Sequence, residues 1–364
     1  MEVEKQRIVE ILQKIADPQT GRDIVSMRMV EDLQIEGKNI SFSIVLASLN
    51  TPSKNELNFA CIQAINDVYP DFEVHIHVKV RAEQVGGQQS IVPQIKNIIA
   101  VASGKGGVGK STVAVNLALG LQKLGAKVGL MDADVYGPSL PTMLGLKGQR
   151  PKIKDVHNQP KIVPIEKYGL HTISIGYMIE PEQAVVLRGP RLAAIINQFF
   201  KDCLWPELDF LVIDLPPGTG DVQLTLVQTV PVTGVVMVTT PQEVALADAV
   251  KGMNMFRLPN VNVPILGVVE NMSWFTPLEL PDNKYFIFGE GGGKALAKEA
   301  NAVLLGQIPL VQGIREGGDN GIPAIIGDEP LTREAFLNVA KNTLRQLAIR
   351  NESFQPTKIV EMKD

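Results

Sequence analysis

Cysteine is almost missing from this chain. Cys61 and Cys203 are the only two in 364 residues, which excludes a disulfide framework and any self-contained four-cysteine metal centre. No apolar run reaches the ~18 residues that a membrane-spanning helix needs. The charged start, Met1-Glu2-Val3-Glu4-Lys5-Gln6-Arg7, has no apolar stretch of the signal-peptide kind behind it. The expectation is a cytoplasmic protein with no membrane partner. Neither sign of charge dominates: the net charge is −4, so no global electrostatic case for nucleic acid exists. Internal repeats and low-complexity tracts are absent as well, which excludes a solenoid or a disordered chain.

What is present is apolar sequence, 45% of the total, over a length that suggests about two domains. Residues 1–82 have the pattern of a small α+β domain. Val3 to Ile15 carries helical apolar spacing that Asp17-Pro18 breaks, and Asn55 to Val68 repeats that spacing. Residues 30–35 and 40–47 have strand composition around the turn Glu36-Gly37-Lys38-Asn39, and Glu73 to Val80 alternates with period two. A polar, glycine-containing stretch within 83–95 has the composition of a linker. From residue 96 to 350, strands rich in Val, Ile and Leu (98–102, 127–131, 171–176, 210–214, 234–240, 264–270, 303–308) alternate with helical segments (111–124, 190–203, 221–229, 244–257, 292–300, 331–349). Strands apolar on both faces belong to a mostly parallel sheet with helices on each side, a doubly wound α/β fold. Residues 351–364 form a tail.

The most informative segment is Gly104-Lys105-Gly106-Gly107-Val108-Gly109-Lys110-Ser111-Thr112. It fits the G-x-x-x-x-G-K-[ST] phosphate loop, between a strand pattern before it and a helix pattern after it. Glycine lets the backbone curl until successive N–H groups converge on phosphate oxygens, and the helix N-terminus adds its dipole. Lys110 is placed for the β/γ-phosphates and Ser111 for Mg²⁺. The ligand class is therefore a nucleoside triphosphate with Mg²⁺.

Three later segments, each after a predicted strand, share that rim. Asp132 and Asp134, two apart on an extended chain, point to one side, where they can hold waters of Mg²⁺ or orient an attacking water. Asp214 ends the apolar run Phe210-Leu211-Val212-Ile213, as a carboxylate reaching the Mg²⁺ shell does, and Pro216-Pro217-Gly218 makes a stiff turn behind it. Asn271, with one donor and one acceptor, suits the edge of adenine.

Lys105 with Lys110, the Asp132–Asp134 pair and the Asp214-Leu215-Pro216-Pro217-Gly218 turn resemble the deviant phosphate-loop ATPases that act as ATP-dependent dimers. Gly137-Pro138-Ser139, Arg188-Gly189-Pro190, Glu270-Asn271-Met272-Ser273 and Leu305-Gly306-Gln307-Ile308-Pro309 narrow the resemblance to the Mrp, or ApbC, family of iron–sulfur cluster carriers. The N-terminal unit, with Asp17-Pro18 and Asp23-Ile24-Val25-Ser26, resembles the small iron–sulfur-assembly domain often fused ahead of that ATPase. The resemblance implies a homodimeric ATPase that passes clusters to apo iron–sulfur proteins and works with assembly factors. It implies that Lys105 crosses the dimer interface to the partner's phosphates. Lys110 binds β/γ-phosphate, Ser111 Mg²⁺ and Thr112 the α-phosphate; Asp134 positions the water, and Asp214 links the Mg²⁺ shell to the following turn.

One part of the family pattern is missing. The family usually places Cys-x-x-Cys shortly after Asn-Met-Ser, whereas here Trp274-Phe275-Thr276-Pro277-Leu278-Glu279-Leu280 follows. Cys61 and Cys203 occupy apolar surroundings and read as core, so no cluster ligand is identifiable. The alternative reading is an ATP-dependent dimerisation switch of the partition or positioning type, without a cluster.

Overall fold

Helical apolar spacing folds Lys5–Leu12 into α1 and Lys54–Asn66 into α2, and alternation folds Val30–Glu36, Asn39–Leu46 and Glu73–Val80 into β1, β2 and β3. These elements come from a computed structural model that describes residues 5–16, 23–27, 29–46, 54–80, 91–134, 137–179, 189–259, 261–277, 279–280 and 282–354. The chain divides into two compact units, 1–86 and 87–364. Residues 83–90 of the expected linker, residues 355–364 of the tail, Asp17-Pro18 and Arg188 lie outside the described residues.

In the small unit β1 pairs antiparallel with β2 and β2 pairs parallel with β3, in the order β1-β2-β3. The first helix ends sooner than its apolar spacing suggests. The chain turns after Leu12 so that Ile24 can hydrogen-bond back to Ile15 and enter the core. Ile8, Leu12, Ile40, Phe42, Ile44, Leu57, Cys61 and Ile65 form that core. Along β3, Val74, Ile76 and Val78 pack against it while Glu73, His75 and His77 face solvent, as a period of two requires.

The large unit runs β4 (Ile95–Ser103), α3 (Lys110–Lys123), β5 (Val128–Asp132), α4 (Leu140–Met143), β6 (Lys152–Val156), β7 (Gln159–Val163), β8 (Ile165–Lys167), β9 (Leu170–Ser174), α5 (Gly189–Lys201), β10 (Leu208–Asp214), α6 (Asp221–Thr229), β11 (Gly234–Thr239), α7 (Glu243–Phe256), β12 (Ile265–Glu270), α8 (Gly292–Glu299), β13 (Leu304–Gln307), α9 (Gln312–Asp319) and α10 (Pro330–Ser353). Its main sheet has the order β13-β12-β11-β4-β10-β5-β9-β8. Every pair is parallel except β8 with β9. Ile98, Ala100, Leu211 and Ile213 pack on one face with Phe199, Leu226, Met253 and Leu296. Ile99, Val101 and Val212 pack on the other with Leu117, Phe336 and Val339. Each such aliphatic or aromatic side chain contributes roughly 1.5–3 kcal/mol by leaving water.

The seven strands expected from the sequence are all present. The hairpin of β6 and β7 was not expected. It turns at His157 and Asn158 with φ of 54° and 61°, and it exposes most residues of β6 and both Gln159 and Pro160, so it has no apolar alternation to read. In the sheet, β4 lies between β11 and β10. The chain runs from β4 toward β5 and from the neighbouring β11 toward β12, in opposite directions, and doubly wound sheets open a crevice at their strand ends at such a place.

Candidate functional site

Three strands end side by side at that crevice. Asp214 closes β10 with Asp132 of β5 as its register partner on one side and Val101 of β4 on the other. The loop 104–109 leaves β4 and enters α3. Gly109 has φ 78° at the helix N-cap, a conformation that a side chain disfavours. A Cβ on Gly104 would stand 2.1 Å from the backbone carbonyl carbon of Asp248 in α7, so only glycine lets the loop lie against that helix. None of the amides of residues 106–111 donates a backbone hydrogen bond among the described residues. They form an array of donors at a helix N-terminus, an anion cradle in the usual sense.

Charge beneath the cradle is dense and dry. Lys110 is 6% exposed; its Nζ lies 2.5 Å from Asp214 Oδ1 and 3.7 Å from Asp134 Oδ2, and it reaches Ser111 Oγ at 3.3 Å. Asp132 is fully buried. Burial, and next the neighbouring Asp214 carboxylate, push Asp132 up to about 8, against the pull of Lys110. Two carboxylates this close in an apolar setting resist ionising together, which is the physical cause. Lys105 is half-buried and forms no ion pair among the described residues; its carbonyl accepts from Ser103 Oγ.

The structure brings Lys110, Ser111, Asp132, Asp134 and Asp214 together, and it gives Asp132 and Asn271 partners that the sequence did not mark. Asp132 does not face the site with free oxygens. Oδ1 accepts from the Asp134 amide at 3.0 Å and Oδ2 from Ser174 Oγ at 3.0 Å, with the Leu140 amide more distant at 3.4 Å. It shapes the turn that carries Asp134. Asn271 does not offer a free edge to a base. It is buried under the loop, its amide nitrogen donates to the Val108 carbonyl at 2.9 Å, and that nitrogen fills the space where a Gly109 Cβ would sit.

Three further residues matter and were missed. Ser174 anchors Asp132 from β9. Gln223, buried in α6, donates to the carbonyls of Pro216 and Gly218 at 2.9 and 3.0 Å and so fixes the stiff turn after Asp214. Glu270 accepts from the Gly293 amide and from Gln307 Nε2, tying β12 to α8 and β13. A charged residue ending the apolar run Val268-Val269 was a signal for Glu270; nothing in the sequence marked Ser174 or Gln223.

A test of the site for Mg²⁺ rests on Asp214. Its Oδ2 is buried and has no hydrogen-bond partner among the described residues, a costly state that a donor from a cation's water shell would relieve. With Ser111 one residue from Lys110, the residues fit the ion. Thiolate cargo ligands are another matter. Cys61 and Cys203 are buried in separate units, and burial pushes both thiols up to about 12. After β12, where the family pattern has its cysteine pair, Phe275 and Tyr285 pair as a small antiparallel bridge and Lys284 lies 4.2 Å over the Trp274 ring.

Residues 94–344 match the family model of the NUBPL iron-transfer P-loop NTPase, and residues 5–78 match that of an iron-sulfur cluster assembly protein. The chain is 45% identical over 341 residues to the iron-sulfur cluster carrier protein of Synechocystis, a span of 92% of this chain and 95% of that one. Among solved structures it is similar to a nucleotide-binding protein of Archaeoglobus fulgidus in complex with ADP. The identity is 35% and the TM-score 0.57, covering 67% of this chain and 93% of that chain. It shares its fold with the cell division ATPase MinD of Pyrococcus furiosus, at 24% identity and a TM-score of 0.50, covering 69% of this chain and 99% of that one.

Proposed function

The chain belongs to the family of NUBPL iron-transfer P-loop NTPases, and from that premise we propose an iron–sulfur cluster carrier that binds and hydrolyses ATP as a homodimer. The observation that carries the nucleotide half is the buried Lys110–Asp214 pair under an array of loop amides that lack backbone partners among the described residues. The cargo half rests on family membership, with apo iron–sulfur proteins and assembly factors as the expected partners. No helix among the described residues is long and apolar enough to cross a membrane, in keeping with a cytoplasmic site of action. The positioning-switch alternative has only the shared fold behind it.

The mechanism follows from the residues. Loop amides of 106–111 and the α3 N-terminus take the phosphates, and Lys110 moves from Asp214 to the β/γ-phosphate oxygens. Ser111 and Asp214 would hold Mg²⁺, which when bound would offset charge on the phosphates. Thr112 sits by the α-phosphate. Asp134, close to Lys110 and held by the turn on Asp132, orients the hydrolytic water. Gln223 keeps the Pro216-Pro217-Gly218 turn rigid enough to sense whether a γ-phosphate is present. Lys105, without a counter-charge among the described residues of its own subunit, reaches the phosphates of the other and makes the dimer depend on ATP, in effect like an arginine finger.

Lys105→Ala tests the dimer role. It should weaken ATP-dependent dimerisation in sedimentation by at least tenfold while leaving nucleotide affinity of the monomer within twofold; equal losses in both refute the cross-subunit contact. Anaerobic incubation with iron and sulfide, followed by ATP-dependent activation of an apo-protein, tests carriage. Neither iron uptake nor activation means that the chain carries no cluster.

A further inference from the structure

A carrier of iron needs ligands that face outward, and both thiols of this chain face inward. Nitrogen ligands do face outward. On β3, Glu73, His75 and His77 occupy alternate positions on the solvent side, while Val74, Ile76 and Val78 hold the strand to its core. Alternate residues of a strand lie about 6.6 Å apart, and metal–nitrogen bonds are about 2.1 Å long, so two imidazoles on one face can lean together onto one ion. The same face is acidic. Glu73 Oε2 is 3.7 Å from His75 Nε2. Ser43, the register partner of His77 on β2, donates to the Asp32 carboxylate at 3.2 Å, and Asp32 sits on an irregularity of β1 with φ 54°. The strand is also an edge of its sheet, paired on β2 alone among the described residues.

We propose that the outward face of β3 binds one divalent transition-metal ion between the imidazoles of His75 and His77. Among the described residues no three His, Cys, Asp or Glu side chains converge on a common point, so the site is a two-point chelate and water completes the shell. Imidazole prefers borderline ions such as Fe²⁺, Co²⁺, Ni²⁺, Zn²⁺ and Cu²⁺ over Mg²⁺ or Ca²⁺, which separates this site from the phosphate loop. An open shell also leaves positions for ligands of a second protein, as handing on an ion requires. The site lies outside the nucleotide machinery and stands or falls independently of it.

The test uses the full chain without a tag and without nucleotide, titrated with Ni²⁺ by calorimetry and with Co²⁺ by visible absorption. One ion per chain is expected, tighter for Ni²⁺ than for Co²⁺ and Mn²⁺ in the order that nitrogen ligands impose, and undisturbed by millimolar Mg²⁺. His75→Ala and His77→Ala should each weaken Ni²⁺ about tenfold or more, because one imidazole loses the advantage of a tethered second. His171→Ala should leave the affinity unchanged. Both strand positions are exposed, so the variants should fold and keep wild-type Mg²⁺-dependent ATP hydrolysis. No binding by the wild type, equal affinity in either single variant, or an equal loss in His171→Ala overturns the proposal.

Discussion

Two segments of the large unit leave parallel strands and meet at Asn271: the phosphate loop after β4, and the stretch from Met272 to Gly291 after β12. The first does its work with backbone. Its amides, its left-handed Gly109 and the clearance at Gly104 are dictated by geometry, so glycine and lysine appear at fixed spacing and the ligand can be read from them. The second is built from side chains. Trp274 lies under Lys284, and Tyr285, Phe286 and Ile287 are exposed, where the family pattern has cysteines. A function carried by main chain leaves little freedom to the sequence; a function carried by side chains can be rewritten without disturbing the fold.

The contrast can be broken, or sharpened, at four places. Lys110→Ala should cost the largest effect, a loss of ATP affinity of about 100-fold or more, near 2.7 kcal/mol, by calorimetry; unchanged binding would mean that the loop is not the phosphate site. Asp132 comes next. Its folded value of about 8 lies above the ordinary 3.8, so the folded protein holds the proton. That stability is fully present below pH 4 and is lost as the pH rises through about 8. Urea melts of nucleotide-free wild type should show stability declining between pH 5 and pH 8, and Asp132→Asn should flatten that decline. Asn271→Ala removes the brace between the two segments. A clamp on Val108 predicts about tenfold weaker binding of ATP and GTP alike, near 1.4 kcal/mol, whereas a base reader predicts a loss for ATP only. Trp274→Ala should be smallest, changing ATP affinity less than twofold; a larger change would place the side-chain segment inside the nucleotide site.

Legibility followed the same division. The seven buried strands and the strand-end aspartates were readable because a run of Val, Ile and Leu that stops at a charge suits little besides a buried strand reaching a rim. The β6–β7 hairpin was not, since exposed strands leave no apolar period. Within the site, Lys110, Ser111, Asp134 and Asp214 meet because each lies at or just past the end of an element on one rim. What could not be read was how the polar atoms divide their partners. Asp132 gives its oxygens to Ser174 and the Asp134 amide, and Asn271 gives its nitrogen to Val108. Those choices depend on Å-scale distances between segments up to 163 positions apart. Gln223 shows the limit plainly: a polar residue in an apolar helix is decided by what it happens to face.

The contact between Lys110 and Asp214 sets a condition on any anion that enters the phosphate loop. An anion arriving alone must pull the lysine away and abandon a bare carboxylate in the interior. A nucleotide that brings its own cation leaves each of those charges with a new companion. Inorganic phosphate, sulfate and metal-free nucleotides should therefore bind more weakly than the magnesium complex, a ranking that calorimetry can check.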